Sequence, residues 1–291
     1  MEELHQPVLL SEVLESLRPQ QGENYLDLTA GYGGHASEIL GVTRNYKNSV
    51  LVDRDEFAYD YLKGKYQGEP LKIVNSDFYS AALQEIECGN AFDIILADFG
   101  VSSPQLDQSE RGFSFSKNGP LDMRMDKKQA LTASQIVNNW SERSLKELFI
   151  EYGEVQAGFA SKIASLIVHN RPWDDTATLA TAIAKHSHYS KTHPATRIFQ
   201  ALRIEVNDEL GQIKNTLPLL PKLLKPGGRV AIITFHSLED RLVKQYFREA
   251  SSKGEESELK ILTKTPIVAE KSELVINPRA RSAKLRVAER I

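Results

Sequence analysis

Tyr25-Leu-Asp27-Leu-Thr-Ala-Gly31-Tyr-Gly33-Gly34-His35-Ala36 is the stretch on which the fold turns. Tyr25 to Thr29 reads as a short strand, and the glycines after it open a helix. Glycine lets the chain turn tightly and lets a ligand reach the main chain. The helix start adds amide donors and partial positive charge. Asp53 lies nineteen residues past Gly34, just beyond a second strand-like stretch at Val50 to Val52. A carboxylate there accepts hydrogen bonds from the two hydroxyls of a ribose. The pattern predicts a nucleoside cofactor; a plain strand–helix turn is the alternative. A dinucleotide would set its pyrophosphate on the helix start. S-adenosylmethionine would instead set its ammonium near Asp27, a carboxylate that repels pyrophosphate. That tilts the choice only modestly.

Working outward, strands and helices alternate through the first hundred residues. A helix is predicted from Glu56 to about Lys65, and strands at Leu71 to Val74 and Phe92 to Ala97. This alternation predicts βαβ units and a parallel sheet. From Gln108 to about Arg203 the pattern turns mostly helical, with Leu145, Leu148, Phe149 and Tyr152 at amphipathic spacing. A further helix is predicted over Glu205 to Leu220. A Pro-Gly-Gly turn then feeds a strand at Arg229 to Phe235, followed by strands at Leu259 to Thr263 and Lys284 to Ala288. The fold class is therefore α/β: one domain formed by residues 1–107 and 205–291, interrupted by a helical insertion over 108–204.

The chain has 291 residues, 41% hydrophobic and 26% charged, a composition that excludes global disorder. No apolar run approaches the ~18 residues of a membrane span. The acidic start MEELHQPVLL lacks the pattern of a secretory signal. With a single cysteine, Cys88, the chain forms no internal disulfide, and a reducing, cytoplasmic setting is expected. The net charge of −3 does not announce a nucleic-acid binder, so such a role must rest on local basic patches.

Five further strings carry chemistry. They are Asp98-Phe-Gly-Val-Ser102-Ser103-Pro-Gln105-Leu-Asp107, Arg111-Gly-Phe-Ser-Phe-Ser through Gly119-Pro-Leu-Asp122-Met-Arg124-Met-Asp126, and His193-Pro-Ala-Thr-Arg197 through Asn207. Phe235-His236-Ser237-Leu-Glu239-Asp240-Arg241 and Asn277-Pro-Arg279 through Arg286 complete the set. Polar groups at the end of a central strand, such as Asp98, face the ligand crevice of an open sheet. Together, in order and spacing, these strings resemble the bacterial small-subunit ribosomal RNA cytosine N4-methyltransferases, the MraW family. The resemblance runs from His5 to the C-terminus. Leu28, Ala30, Tyr32 and Phe99 depart from the family's usual residues.

The resemblance implies a Rossmann-like, S-adenosylmethionine-dependent methyltransferase sheet with a helical insertion used for RNA recognition. It implies methylation of the exocyclic amine of a cytidine in the decoding region of 16S rRNA, within the small ribosomal subunit. Cofactor contacts carry over onto Gly33, Gly34, His35, Asp53, Phe78, Asp98 and Gln105. For catalysis, Asp98 is the expected acceptor for the amine, with Ser102 or Ser103 orienting the base. The alternative is that Asp98 touches only the cofactor. His236 either shuttles a proton or holds its loop, and Ser237 begins a helix with acids in its first turn. Cys88 precedes the fourth strand, the wrong end of the sheet for a nucleophile. No metal site is expected at His186, His188 and His193. RNA contacts are expected at Arg111, Lys117, Arg124, Arg197, Arg203 and the tail from Arg279 to Arg286, the last being equally readable as a solvated strand edge. Phe113 and Phe115 are either a base-stacking pair or buried anchors. The target cytosine must leave its stack to be reached.

Overall fold

The computed structural model describes residues 7–186, 193–252 and 254–291, so His5 and His188 lie outside the described residues. The chain forms two compact units: Met1–Gly100 with Leu210–Ile291, and Val101–Glu209. These bounds differ from the expected 107/108 and 204/205. The helix predicted to begin at Glu205 is the tail of one running from Ala195 to Asn207, so a division at 204 would cut it. Val101 and Leu106 pack on the second unit's core.

The first unit carries seven strands. They are β1 (Tyr25–Asp27), β2 (Val50–Asp53), β3 (Lys72–Asn75), β4 (Phe92–Asp98), β5 (Leu224–Thr234), β6 (Leu259–Ile261) and β7 (Lys284–Arg290). Their order in the sheet is β3-β2-β1-β4-β5-β7-β6. The first five are parallel, and β7 runs antiparallel to both β5 and β6. The winding reverses between β1 and β4, which makes the carboxyl ends of these two strands the switch point where ligands of open α/β sheets bind. The register is set by apolar runs: Ile94, Ile95, Leu96 and Ala97 are all buried, as a strand covered on both faces requires.

Between the strands run α1 (Leu10–Leu17), α2 (Gly34–Thr43), α3 (Glu56–Lys65) and α4 (Phe78–Glu87). Asp55 caps α3 through Phe57 N, and Asp77 caps α4 through Ser80 N. Cys88 ends α4 as an exposed C-cap residue. One core cluster, including Ile95, Val230 and Phe247, and another, including Leu40, Leu51 and Ile94, pack this unit.

The second unit holds α5 (Ser103–Asp107), α6 (Ala133–Asn139), α7 (Glu142–Glu151), α8 (Ala157–His169), α9 (Thr176–Lys185) and α10 (Ala195–Asn207). Its own core gathers Phe149, Ile163, Ile183 and Leu202. Residues 112–132 hold no helix, within a unit that is otherwise mostly helical as expected. This stretch is held by side chains: Arg111 Nη2 donates to Arg124 O and Met125 O, and Asn207 Nδ2 donates to Met123 O while its Oδ1 accepts from Met125 N. Glycine is required at both ends. A Cβ on Gly112 would sit 2.0 Å from Pro120 O, and one on Gly119 would sit 1.8 Å from Ser109 O.

The predicted helix over 205–220 is instead three pieces: the end of α10, α11 (Glu209–Thr216), and α12 (Leu220–Leu223) after a short 3-10 turn. Asp208 adopts φ 48°, which ends α10, and Pro218 and Pro221 interrupt the helix beyond Thr216. Strand β5 starts earlier than predicted. Leu224 pairs with Phe92, and the register shifts before Arg229 pairs with Ile94, so Pro226-Gly-Gly228 lies inside the strand as an irregularity rather than before it. After β5, α13 (Ser237–Ser251) packs near β6 and β7, and α14 (Lys271–Ile276) comes next.

Candidate active site

Three neighbouring strands each end in aspartate: β2 in Asp53, β1 in Asp27 and β4 in Asp98. The chain leaving β1 continues the ladder on both sides. Leu28 N donates to Leu96 O and Ala30 N donates to Val52 O. Thr29 Oγ1 accepts from Asp98 N at 2.6 Å, and Gly31 N donates to Asp53 Oδ2 at 2.7 Å. The glycine loop is thereby tied to the two strand ends flanking it. Gly31 and Gly33 adopt φ 52° and 71°, the left-handed region that side chains resist. A Cβ on Gly33 would also lie 2.9 Å from Leu62 Cδ2.

The electrostatics of these acids arise from burial. Asp27 is buried and its pKa is raised to about 7, chiefly by loss of solvent; the Tyr25 hydroxyl (2.6 Å) and Thr29 N–H oppose the shift. Asp53 is raised to about 6 by the same cause, against hydrogen bonds from Asp55 N and Gly31 N. Asp98 is pushed well above the usual carboxylate range by burial first, and then by the charges of Asp27 and Glu239. Its Oδ1 is buried without a hydrogen-bond partner. A buried unpaired carboxylate oxygen is costly, so its presence points to a partner that arrives with ligand.

Phe78, the first residue of α4, lies with its ring 5.3 Å from that of Phe99, one residue past Asp98. Gly33, Gly34, Asp53, Phe78 and Asp98 thus cluster at the switch-point end of the first unit. His35 does not present its imidazole to that site. The ring is buried, and Nε2 bonds Val8 O at 2.9 Å, so the side chain anchors the segment leading into α1. Only its main chain, in the first turn of α2, stays with the cluster.

Ser102, Ser103 and Gln105 belong to the second unit. Ser102 is the N-cap of α5, and Gln105 Oε1 accepts from Ser102 N at 2.9 Å in a capping box. His236 likewise caps α13: Glu239 Oε2 accepts from Phe235 N and His236 N, and the imidazole lies 3.2 Å from Glu239 Oε1. The helix begins at Ser237 with Glu239 and Asp240 in its first turn, as read from the sequence, and its N-cap is His236. His186 Nδ1 is held by Ala182 O. His193 is stacked 4.7 Å from Phe115.

Most of the arginines expected to meet RNA are used inside the protein. Arg111 is 2% exposed, and Arg124 forms a two-toothed pair with Asp122 while donating to Lys127 O and Gln129 O. Arg203 grips Glu209 through both Nε and Nη2. Arg286 does the same to Asp240, which Lys284 also contacts. The tail is not an edge, because β7 is paired on both sides. Phe113 is buried and Phe115 packs edge-on against Phe199, so both act as anchors of the second unit. Lys117 is exposed, and the Arg197 side chain is 56% exposed. What sequence reading missed is Thr29 under Asp98 and the contacts of Lys65 and Tyr66 with the glycine loop. Those two residues sit some thirty positions from the loop, and no local pattern marks them.

Aspartates on three adjacent strand ends beside a glycine loop suit a nucleoside cofactor bearing positive charge. This defines the first unit as the Rossmann-like sheet of an S-adenosylmethionine-dependent methyltransferase. The chain belongs to the MraW methylase family, whose profile matches residues 2–291. The ribosomal RNA small subunit methyltransferase H of Trichormus variabilis is 47% identical to it over 292 residues, covering 98% of this chain and 92% of that protein. The protein of the same name from Halothermothrix orenii is 44% identical over 309 residues, covering 99% and 98%. Among solved structures, a putative rRNA-methylase from Clostridium thermocellum superposes with a TM-score of 0.49 at 9% identity, over 99% of this chain and 100% of that one.

A cationic ligand favours ionised carboxylates, so binding should expel protons from Asp27 and Asp53. Affinity for S-adenosylmethionine is expected to rise as pH increases from about 5.5 to 8, through the values near 6 and 7 of these groups. Without ligand the sign is opposite for stability. Both folded-state values exceed the unfolded one, so their contribution is complete below the ordinary value of 3.8 and is lost as pH rises through 6 to 7. Calorimetry in buffers of differing ionisation enthalpy checks this: no buffer dependence near pH 6.5 would mean the acids do not change protonation on binding.

Proposed function

We propose that the protein methylates the exocyclic N4 amine of a cytidine in the decoding region of 16S rRNA, within the small ribosomal subunit in the cytoplasm. The observation that carries the chemical part is Asp98: a buried carboxylate oxygen without a partner at the end of the central strand. The relatives' shared name, ribosomal RNA small subunit methyltransferase H, supports the substrate class. Exposed Lys117 and Arg197 on the second unit supply cations for RNA phosphates.

S-adenosylmethionine, when bound, supplies a methyl group activated by its sulfonium. The residues that would hold it are Asp53, for the ribose hydroxyls, Asp27, for the ammonium, Phe78, for the adenine, and the main chain at Gly33 and Gly34, for the amino-acid carboxylate. The resemblance also implies Gln105 as a cofactor contact; its amide oxygen accepts from Ser102 N. The cytosine amine is a weak nucleophile because its lone pair is delocalised into the ring. Asp98 accepts a hydrogen bond from that amine, raises its electron density, and takes its proton as the nitrogen becomes tetrahedral. Ser102 or Ser103 would orient the base, because transfer requires an in-line approach of the amine to the methyl carbon at roughly 3 Å. The reading excludes ring-carbon methylation through a cysteine, since Cys88 lies at the end of α4, ahead of the strand and away from its carboxyl end.

The test is transfer of labelled methyl from S-adenosylmethionine to unmodified small subunits, naked 16S rRNA and DNA, followed by nucleoside mass spectrometry. N4-methylcytidine formed in the particle is the expected result. Label in DNA, or in 5-methylcytidine, would overturn it. Cofactor binding with no label in any substrate would replace the enzyme reading with that of an assembly factor.

A further inference from the structure

One face of α3, extended by its C-cap residue Tyr66, grips the glycine loop and the start of α2 at four points. The Tyr61 ring meets the Tyr32 ring edge-on at 5.2 Å, and Leu62 fills the space beside Gly33. Lys65 Nζ donates to Tyr32 O at 3.2 Å and to Gly33 O at 3.0 Å. Tyr66 Oη bonds Ser37 Oγ at 3.1 Å, and Ser37 Oγ in turn donates to Gly33 O at 2.6 Å. Positions 61, 62, 65 and 66 recur at the spacing of a single helical face.

Gly33 O therefore receives Ser37 N at 3.0 Å, Ser37 Oγ and Lys65 Nζ. The peptide is planar, so holding that carbonyl toward α3 turns the Gly34 N–H the opposite way. Gly34 is the first residue of α2, where the helix ladder leaves N–H groups open. An amide fixed in this direction donates to an anion.

We propose that Lys65 is a positioning residue for cofactor binding: by pinning Gly33 O it aims the Gly34 amide at the carboxylate of the amino-acid half of S-adenosylmethionine. The proposal rests on the cofactor site assigned above. It predicts a pattern across ligands. S-adenosylmethionine and S-adenosylhomocysteine carry the carboxylate, whereas 5′-methylthioadenosine lacks the whole amino-acid half.

The experiment measures dissociation constants of all three ligands for wild type, Lys65→Met and Lys65→Arg by calorimetry, with thermal unfolding as a check on folding. Lys65→Met is expected to weaken the two carboxylate ligands equally, by about five- to tenfold, and to leave methylthioadenosine within about twofold. Lys65→Arg should restore affinity to within about threefold, because a guanidinium also reaches two carbonyls. The loss in Lys65→Met should appear in the KM for S-adenosylmethionine and be largely recovered in Lys65→Arg. Unchanged affinity in Lys65→Met overturns the proposal, and so does equal weakening of all three ligands, which would mean general loosening of the pocket. Wild-type protein that binds none of the three would instead overturn the cofactor site itself, which keeps the two failures distinct.

Discussion

Asp98→Ala should lower the rate of methyl transfer at saturating cofactor by about 10²–10³, the scale of losing one preorganised polar group at a reacting centre. Cofactor affinity should change by no more than about threefold. The reason lies in how the side chain is used. Asp98 N is held by Thr29, so the backbone stays in place when the carboxyl is removed. Oδ1 makes no bond within the protein, so its loss breaks no native contact. Rapid-quench turnover alongside calorimetric binding separates the two quantities. A parallel collapse of affinity would assign Asp98 to the cofactor and leave the amine's acceptor elsewhere.

Asp98→Asn adds a stability readout with a definite sign. The folded-state pKa of Asp98 lies well above the ordinary value of 3.8. Its contribution is therefore complete below that value and is lost as pH rises toward the folded one. An asparagine carries no such penalty. The variant should melt above wild type at pH 8, and the gap should narrow toward pH 4. A constant gap across that range would show that Asp98 titrates alike in both states.

Arg286→Met is expected to have the largest effect on stability. Arg286 and Asp240 are both buried side chains, 7% and 12% exposed, with Nε to Oδ1 at 2.7 Å. Removing one member of a buried pair strands the other, which typically costs about 3–5 kcal/mol. Lys284 still contacts Asp240 at 3.2 Å, so the lower figure, about 3 kcal/mol, is expected, with a fall in Tm of roughly 6–10 °C. The pair ties the first turn of α13 to the middle of β7, where Arg286 pairs with Ile232 of β5. Loss of the tie also loosens the Phe235-His236 corner at the end of β5. The double variant Arg286→Met with Asp240→Leu should recover much of the loss, because no charge is then left buried. Thermal unfolding of wild type and the two variants checks this. Asp240 is held below its usual pKa mainly by Arg286 against the cost of burial, so the pair stabilises above the unfolded value and weakens as pH falls through the folded one. A single-variant cost below about 1 kcal/mol would place the pair among exposed ion pairs, which contribute little.

The arginines show why motif reading found the strings but not the work of their residues. Arg111, Arg124, Arg203 and Arg286 sit in strings whose composition suits RNA, yet each is satisfied within its own unit. A guanidinium has five donors and looks alike in sequence whether phosphate or buried carbonyls receive them. The Asp240 partner of Arg286 lies 46 residues away, and Asn207 bonds Met125 N across 82 residues. His35 is a similar case: its ring turns to Val8 O, 27 residues earlier, although its motif belongs to the cofactor loop.

By itself the sequence determined the alternation of strands and helices, the glycine loop after β1, and the aspartates that close β1, β2 and β4. These are local properties: apolar runs of strand length, glycine where φ must be positive, and acids at strand ends. It also determined the family, through long strings that tolerate little change. Only the tertiary structure decided that Asp208 splits the predicted 205–220 helix, that residues 112–132 are held without a helix, and that α3 clamps the glycine loop. Each depends on side chains meeting across the fold, where burial and the need to satisfy every buried donor outweigh local preference. The same long-range packing leaves Asp98 Oδ1 without a partner, a fact about surroundings that no string of residues records.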